Sequence, residues 1–459
     1  MQSRRSNTVK GLDHDESRAL CSKVLGYSKA DYARVNLDSG VHLFTRTAIN
    51  RVTTAGATDD VSVRVISVFG KRVASTVTNR LDDASLERAV RDCEALAKLS
   101  PEDPEYMPEL GEQKYSVVGG YYASTGDLTT EARARAASLA IKAADAAKLM
   151  ASGFIDVNAG TNAVATSKGL FGYHPETGVA STLTMRTMDG ASSGWAGDEG
   201  SDWDTIESER IAADAVRKCQ DWRGKTSLDP GKYEVILEPA ATGMLMLRMM
   251  NVFDARQAEE GRSFLSKPGG GTMLNEKLFD ERVTIVSDPM EKNAETGSFT
   301  AGGLPVGRET WVEKGVLKTL SYSRFWADRK GVAPKPPGLN FVMSGGIASG
   351  NASIDDMIRE TRRGVLITRF WYVRSLNPRI ASFTGLTRDG TFLIENGRIS
   401  RPVTNFRFNQ SLSEMLANVQ MLGSPTRVCA SESSTVGPPI VVPALKVKDF
   451  FLSSLSDAI

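Results

Sequence analysis

The chain has 459 residues, which is the length of two or three ordinary domains. Hydrophobic residues make up 41% and charged residues 24%, and the longest apolar runs are too short and too interrupted to span a bilayer. The formal net charge of +1 excludes a global field that would draw the chain to nucleic acid or to an anionic membrane.

The cysteines and histidines form no recognisable disulfide or metal motif. The four cysteines lie far apart and include no C-x-x-C pair, which predicts free thiols in a reducing compartment: Cys21, Cys93, Cys219 and Cys429. No two of the three histidines, His14, His42 and His174, lie within five residues of each other, so no paired-histidine metal motif is present, and we interpret His42 and His174 as ordinary polar residues. Residues 1–18 are polar and lack an apolar stretch, so we expect a frayed terminus, no secretory signal and a cytoplasmic location.

Residues 19–100 are predicted to form an N-terminal α+β module. Ser17–Leu25 can form a short helix, and strand-like alternation follows, most clearly in residues 61–76. Gly70-Lys71 is a plausible hairpin turn. Asp82 or Asp83 then caps a predicted helix that runs to about Lys98, so the order is strands followed by a helix.

Residues 115–223 are predicted to form a second α/β module. It follows residues 99–113, whose three prolines and five acidic residues are typical of a linker. An alanine-rich helix is predicted from Thr129 or Thr130 to near Ser152-Gly153. Strand-like segments, a Gly/Ser/Asp/Trp-rich loop at 190–203 and a helix at Ile206–Trp222 complete this module.

Residues 231–455 are predicted to form a strand-rich C-terminal domain around one buried helix. Pro239 can begin this helix, and from Ala240 to about Gln257 the sequence is apolar on most faces, as in a helix buried on all sides. Short strand-like segments follow, separated by turn residues: Gly315, Gly345-Gly346, Asp389-Gly390 and Asn396-Gly397. The sequence as a whole therefore predicts an α+β fold.

Several segments, taken in their order and spacing, resemble the TldD/PmbA family, whose members are described as modulators of DNA gyrase and as metallopeptidases. The resemblance spans all three predicted modules. It rests on residues 61–82, T-S-K-G-L-F-G-Y at 166–173, V-T-I-V-S-D-P at 283–289, G-L-P-V-G-R-E-T-W-V-E-K-G-V-L-K at 303–318, and L-I-E-N-G-R-I-S-R-P-V at 393–403.

In active TldD-type members the central helix carries His-Glu-x-x-x-His, and the resemblance places that motif on Met246–Asn251. Met246 and Asn251 stand at the histidine positions, and Leu247 stands at the glutamate. A thioether is a poor zinc ligand, an amide oxygen is a weak one, and leucine cannot polarise a water. The family's acidic D-D-E-G turn is also changed, to Thr300-Ala301-Gly302-Gly303.

The resemblance therefore implies a PmbA/TldE-like member that lacks the metal motif. Such members pair with a TldD-type catalytic subunit in a peptidase that acts on unfolded or extended peptides. We assign no catalytic, cofactor-binding or metal-binding residue to this chain, and we expect zinc only in the partner. Expected partners are a TldD-type subunit or a second copy of the chain, and an extended peptide, with neither nucleic acid nor membrane.

Two other functional hypotheses stay open at this point. The chain could be an enzyme in its own right, either a peptidase with unrecognised ligands or a family member recruited to another reaction. It could also be a homodimeric peptide-binding module without catalysis in any assembly. Peptide cleavage by the chain alone would distinguish the first of these, and the absence of a co-purifying TldD-type partner would distinguish the second.

Four local features of the sequence have a simple structural interpretation that is favoured over a functional one. The methionine-rich helix could be an adaptable peptide surface, but a packed core is favoured. Gly269-Gly270-Gly271 lacks the context of a phosphate cradle and is interpreted as a loop. Cys429 is interpreted as a free thiol on a loop. The six arginines spread over 359–379 are interpreted as a solvated strand face rather than as a basic binding patch: Arg359, Arg362, Arg363, Arg369, Arg374 and Arg379.

The helix itself gives a sharp structural prediction. Positions five apart on an ideal helix differ by ~140° in direction, so two ligands at that spacing would need local distortion. Met246 and Asn251 make no such demand. We therefore predict a regular helix through residues 242–254.

Overall fold

The computed structural model describes residues 10–344 and 351–457, so part of the predicted polar terminus and the predicted Gly345-Gly346 turn lie outside the described residues. The N-terminal half is built on a six-stranded antiparallel sheet with the order β3-β2-β1-β4-β5-β6. Its strands are β1 (Tyr32–Ala48), β2 (Arg51–Phe69), β3 (Arg72–Thr78), β4 (Leu149–Thr166), β5 (Phe171–Thr187) and β6 (Ser193–Gly200). Since β1 pairs with β4 along nearly its whole length, strands from both predicted N-terminal modules belong to one sheet. The proposed domain limits stay a prediction.

Helices cover this sheet in two groups, α1 with α2 and α4 with α5. They are α1 (His14–Tyr27), α2 (Asp83–Leu99), α3 (Ala123–Gly126), α4 (Thr130–Ala147) and α5 (Ser208–Asp221), with a 3-10 turn at Trp203–Thr205. At the start of α1, the Asp13 side chain accepts a hydrogen bond from the Glu16 N–H, and the Glu16 side chain accepts one from the Asp13 N–H. Asp82 caps α2, as predicted from its position. The Gly70 hairpin turn is also confirmed, because β2 pairs with β3 on either side of it.

The predicted end of α4 was wrong by about five residues. The helix ends at Ala147, and Lys148 adopts a left-handed conformation with φ 55°. Residues 149–153, which the pattern assigned to the helix, begin β4 and pair with both β5 and, from Ser152, β1. Two long strand partners outweigh the helix propensity of a short Leu-Met-Ala stretch.

The C-terminal half contains two further sheets. Its strands are β7 (Gly231–Leu237), β8 (Thr284–Ser287), β9 (Glu309–Glu313), β10 (Val316–Leu317), β11 (Phe341–Ser344), β12 (Arg363–Ile367), β13 (Phe370–Asn377), β14 (Ser382–Thr387), β15 (Thr391–Glu395), β16 (Arg398–Pro402), β17 (Phe406–Ser411), β18 (Val419–Leu422), β19 (Thr426–Arg427), β20 (Ile440–Val442) and β21 (Leu445–Leu455). Its helices are α6 (Pro239–Met246), α7 (Ala255–Glu259), α8 (Arg324–Lys330), α9 (Ile354–Arg359) and α10 (Leu412–Ala417), with 3-10 turns at Leu247–Met249 and Pro378–Ile380.

One sheet has the order β10-β9-β8-β11-β20-β19, and the other has the order β13-β14-β17-β21-β7-β12-β15-β16, with β18 also on β21. A single apolar core takes side chains from both sheets and from α6, so the helix fills the space that the sheets enclose. The predicted Asn396-Gly397 hairpin turn joins β15 to β16, and both residues have positive φ. The α+β class and the buried central helix are thereby confirmed.

The regular helix predicted for 242–254 was wrong. The α-helical part ends at Met246, a 3-10 turn follows, and the chain leaves helical geometry after Asn251. Tertiary bonds explain the break, because the Phe253 carbonyl accepts from the Ser321 N–H at 2.6 Å. The Asp254 carboxylate then caps α7 by accepting from the Gln257 N–H.

Within the described ranges, no helix combines the length and the apolar character needed to cross a membrane.

Candidate functional site

The N-terminal sheet meets the C-terminal domain at the start of α6. Ala180 on β5 and Trp195 on β6 form a small buried cluster with Cys429, against which Ala240 on α6 packs. Within the C-terminal domain, α6 packs closely on the segment that leads to Cys429, since a Cβ on Gly243 would lie 2.4 Å from Val428 Cγ2. Side chains from both halves of the chain therefore share this junction.

The helix at the junction offers no metal site. Met246 is fully buried in the apolar core, whereas Asn251 is exposed beyond the helix end. The two side chains therefore lie in different environments and cannot share one ion. Among the described residues, no group of three or more His, Cys, Asp or Glu side chains could hold a metal. The residues present do not suit a catalytic zinc ion, which needs about three protein ligands.

Cys429 is a free thiol, as predicted, and so are the other three cysteines. Its loop is packed inside the junction, and the side chain is 2% exposed. Burial raises the pKa of the Cys429 thiol to about 12, and the nearby Glu199 adds to the rise. The thiol is therefore protonated at neutral pH and is neither a nucleophile nor a metal ligand in this state.

A carboxylate three residues further along organises the outer part of the junction. Glu432 accepts a hydrogen bond from the Val373 N–H at 2.8 Å. The Arg374 guanidinium contacts both of its oxygens, at 3.2 and 3.1 Å, and Arg248, just past α6, contacts it at 3.2 Å. Glu432 thus joins α6, β13 and the loop after β19.

A second carboxylate lies deeper. Asp389, in the turn between β14 and β15, is 1% exposed. It accepts from the Ser193 hydroxyl at 2.8 Å and from the Arg369 guanidinium at 3.1 Å. Arg369 is itself 5% exposed, and burial lowers its pKa while Asp389 opposes that change. Asp389 thus pairs with Arg369 inside the C-terminal half and, through the Ser193 hydroxyl, links the two halves of the chain.

An open cleft of about 210 Å³ lies over these groups. We call it the arginine cleft and define it by its charged and aromatic lining: Arg186, Arg369, Trp371, Arg388, Asp389 and Glu432. Trp371 contacts two of the guanidinium groups, with Arg388 4.8 Å and Arg369 5.2 Å from the ring centroid. Guanidinium groups stack on aromatic rings and present planar sets of donors that suit carboxylate or phosphate groups.

The sequence interpretation of the arginine run was wrong for Arg369. The other five arginines of the run are exposed, but Arg369 lies at the break between β12 and β13 and points inward. The run was interpreted as one continuous strand face, and no pattern marked this break. The Asp389-Gly390 pair was correctly predicted as a turn, but nothing in the sequence linked its carboxylate to Arg369.

A further ion pair joins the two halves of the chain directly. Arg427 Nη2 lies 3.5 Å from Glu199 Oε1, and both side chains are largely buried. Burial raises the pKa of Glu199 to about 7, against the opposing effects of Arg427 and of a bond from the Gly437 N–H. Glu199 is therefore the carboxylate here whose charge changes near neutral pH.

The histidines differ from each other. His42 Nε2 lies 2.7 Å from Asp156 Oδ1, and the other oxygen of Asp156 accepts from the Val436 N–H at 2.9 Å. His174 is 5% exposed, and burial lowers its pKa to about 4, so it is neutral near pH 7. His174 is thus more deeply buried than an ordinary polar residue, contrary to the sequence interpretation.

Two loops singled out in the sequence have structural roles. Gly269, Gly270 and Gly271 all have positive φ, and a Cβ on any of them would meet open space, so the loop prediction is confirmed. The altered turn Thr300–Gly303 contacts the N-terminal half, because the Ala301 carbonyl accepts from Asn36 at 2.7 Å and the Gly303 carbonyl accepts from Tyr115 at 2.7 Å.

Comparison with known proteins agrees with this architecture. Residues 230–449 match the family model described as the PmbA/TldA metallopeptidase C-terminal domain. The chain shares its fold with the crystal structure of TldE from Thermococcus kodakarensis, at a TM-score of 0.81 and 17% identity over 95% of this chain and 99% of that one.

Two relatives match by sequence over shorter segments. A protein named Metalloprotease from Methanothermobacter thermautotrophicus is 26% identical over 211 residues, which are 43% of this chain and 44% of that protein. A Metalloprotease TldD homolog from Buchnera aphidicola is 24% identical over 198 residues, 39% of this chain and 40% of that protein. The chain thus spans less than half the length of these relatives in each match. The C-terminal domain therefore belongs to the TldD/PmbA family, and the fold and these similarities support the same family for the chain as a whole.

Proposed function

We propose that this chain is a non-catalytic, TldE-like subunit of a TldD/TldE-type peptidase assembly that acts on unfolded or extended peptides. The observation that carries the proposal is the chemistry of residues 246–251. Met246 lies inside the core, Leu247 has no polar atom, and Asn251 is exposed outside the helix. A hydrolytic zinc site needs ligands that converge on one point and an activated water, and this segment supplies neither.

The rest of the junction supports the same proposal. The protonated Cys429 thiol is buried, and charged groups near it are engaged in ion pairs, Arg369 with Asp389 inside the C-terminal half and Arg427 with Glu199 across the junction. These groups stabilise the contact between the two halves of the chain. They offer no activated nucleophile of the kind that covalent peptide cleavage uses.

The chain would contribute surfaces to the assembly. Its sheets end in outer strands, and an outer strand can bind an extended peptide through backbone hydrogen bonds without a metal. The fold shared with TldE supports a place in a two-subunit particle, as a dimer with a TldD-type subunit. Four free, buried thiols favour a reducing, cytoplasmic setting for it.

A reconstitution assay tests the proposal. The purified chain, a TldD-type subunit carrying His-Glu-x-x-x-His, and their mixture are compared for cleavage of an unstructured fluorogenic peptide and for co-elution on a sizing column. We expect no cleavage by this chain, co-elution with the partner, and chelator-sensitive cleavage by the mixture. A matched control replaces the first histidine of the partner's motif, which should abolish cleavage but not co-elution.

The alternatives give different results in the same assay. Chelator-sensitive cleavage by this chain alone would establish a stand-alone metallopeptidase and overturn the proposal. A self-associating chain that binds peptide but neither co-elutes with a TldD-type subunit nor supports cleavage would establish a homodimeric binding module.

A further inference from the structure

The arginine cleft brings three cations, two carboxylates and an aromatic ring around one space that is open to solvent. Arg369 and Asp389 in its floor are nevertheless almost fully buried. Its volume of about 210 Å³ lies below the roughly 300–1,000 Å³ of pockets that enclose a whole small molecule. The cleft is therefore of a size to receive one side chain or one chain terminus rather than a complete cofactor.

The formal charges of the lining favour an anion. Three arginines and two carboxylates line the cleft, and Glu432 is already compensated from outside the lining by Arg248 and Arg374. Asp389 is then the lining carboxylate that faces Arg186, Arg369 and Arg388. The net charge of the lining is therefore positive but small. Its two carboxylates repel a dianion such as a phosphate more strongly than a monoanion.

The geometry favours a carboxylate. A guanidinium is a planar fork of donors that matches the two oxygens of a carboxylate, and its face packs well on an aromatic ring. Trp371 contacts both Arg369 and Arg388, which holds these two cations at one wall of the cleft. Arg388 keeps about a quarter of its side chain accessible, with a relative exposure of 23%.

The neighbouring strand β13 offers a sheet edge along which the rest of a peptide can bind. β13 carries Trp371 and Arg374, and among the described residues it pairs only with β14, so it forms one side of the nine-stranded sheet. Tyr372 and Leu376 on this strand are 51% and 55% exposed, so they offer apolar surface on which side chains of a peptide can pack. Register shifts at Trp371/Arg374 and Ser375/Asn377 limit strand addition to a short stretch next to the cleft.

We propose that the arginine cleft binds a carboxylate of an extended peptide that lies along β13, either the peptide's C-terminal carboxylate or an acidic side chain. This proposal deepens the proposed function, on which it rests for the class of ligand. It assigns Arg388 and Arg186 as the groups that bind the carboxylate in addition to the contacts they already make, with Arg369 and Asp389 behind them and Trp371 as the wall that orients the guanidinium groups.

A binding assay with the full chain alone tests this proposal without metal or partner. The probe is a fluorescein-labelled peptide of about ten residues, long enough to follow one strand. It has neutral side chains and is prepared in three forms: with a free C-terminal carboxylate, with a C-terminal amide, and with a C-terminal amide and one internal glutamate. Fluorescence anisotropy measures the dissociation constant of each form.

We expect the neutral amide to bind at least about tenfold more weakly than one of the two acidic forms. A tenfold change in the dissociation constant is the effect expected for the loss of one charge-assisted hydrogen bond. The form that binds more tightly identifies the source of the carboxylate. Equal affinity for all three forms, or no binding of any form, overturns the proposal.

Substitutions assign the effect to the cleft. Arg388→Gln and, independently, Arg186→Gln should each remove most of the preference for the acidic peptide, and Arg388→Lys should keep only part of it because an ammonium lacks the planar fork. Arg362→Gln is the matched control, since Arg362 is exposed away from the cleft. A preference that survives both glutamine variants, with the fold intact by circular dichroism, also contradicts the proposal.

The two proposals can fail separately. Loss of the carboxylate preference leaves a non-catalytic subunit unaffected, whereas chelator-sensitive cleavage by this chain alone overturns the subunit proposal and leaves the binding result unchanged.

Discussion

The helix α6 and the arginine cleft lie at the same junction but differ in almost every physical property. The helix is apolar and buried, and its Leu245 and Met246 pack in a core shared by two sheets. The cleft is open and charged, and its groups come from β5, from the start of β13 and the residue before it, from the turn between β14 and β15, and from the loop that holds Glu432. In this chain, the polar groups therefore lie beside the helix rather than on it.

The buried ion pair of the cleft floor should give the largest effect on stability. Asp389→Ala leaves Arg369 buried without its charge partner and removes the acceptor of the Ser193 hydroxyl. We expect a loss of about 3–5 kcal/mol in the free energy of unfolding, measured by urea denaturation. The double variant Arg369→Met/Asp389→Leu, which removes both charges, should recover most of this loss. A cost below about 1 kcal/mol for the single variant would show that the pair is solvated.

The helix should respond to volume rather than to charge. Met246→Ala removes a fully buried side chain, and we expect a loss of about 2–5 kcal/mol by the same measurement. Asn251→Ala, at the other end of residues 246–251, is the control. Because Asn251 is exposed, the free energy of unfolding should change by no more than about 0.5 kcal/mol. Comparable costs at both positions would mean that the two side chains share a site.

The pH dependence of stability should single out Glu199. Its pKa in the folded chain is about 7, raised by burial above the 4.5 of an exposed glutamate, so the folded state binds the proton more tightly. The contribution of Glu199 to the free energy of unfolding is therefore fully present below about pH 4.5. It is lost as the pH rises to 7, at up to about 1.4 kcal/mol per pH unit.

Glu199→Gln tests this sign. The variant should gain stability relative to the wild type as the pH rises through that window, and the difference curve should be flat above it. The unfolding free energies are compared at several pH values, so that titration of all other groups cancels between the two chains. A difference that runs in the opposite direction would mean that Arg427 outweighs burial.

The smallest effect should come from ion pairs on the outer helices. Arg88 and Asp92 lie one turn apart on α2, at 3.6 Å, with side chains 82% and 61% exposed. Arg88→Ala should change the free energy of unfolding by no more than about 0.5 kcal/mol, and even less in high salt. A larger change would mean that exposed ion pairs contribute to the free energy of unfolding as much as the buried ion pair of the cleft does.

Local sequence signals predicted much of the fold. Asp82 at the start of α2, the Gly70 hairpin and the Asn396-Gly397 hairpin are set by nearby residues, so each could be placed without tertiary information. The boundaries that depend on distant partners were missed. The end of α4 is fixed by two strands of one sheet, and the end of α6 by hydrogen bonds to Ser321.

The candidate site was less accessible to prediction for the same reason. The resemblance located residues 246–251 and the loss of their ligands, because that motif is local. The cleft joins Arg186, Arg369, Arg388 and Glu432, which are far apart in sequence and lie in or beside segments of unremarkable composition. The aspartate in an Asp-Gly turn signals only a turn, and its pairing with a buried arginine depends on the packing of two sheets.

Zinc content measures the central claim most directly, which is that α6 serves as core and not as a metal site. The purified chain is incubated with excess zinc, dialysed against metal-free buffer and analysed by mass spectrometry for metal per chain. We predict less than about 0.1 zinc per chain, because Met246 and Asn251 cannot converge on one ion. Roughly one zinc per chain, lost on Met246→Ala or Cys429→Ala, would contradict it.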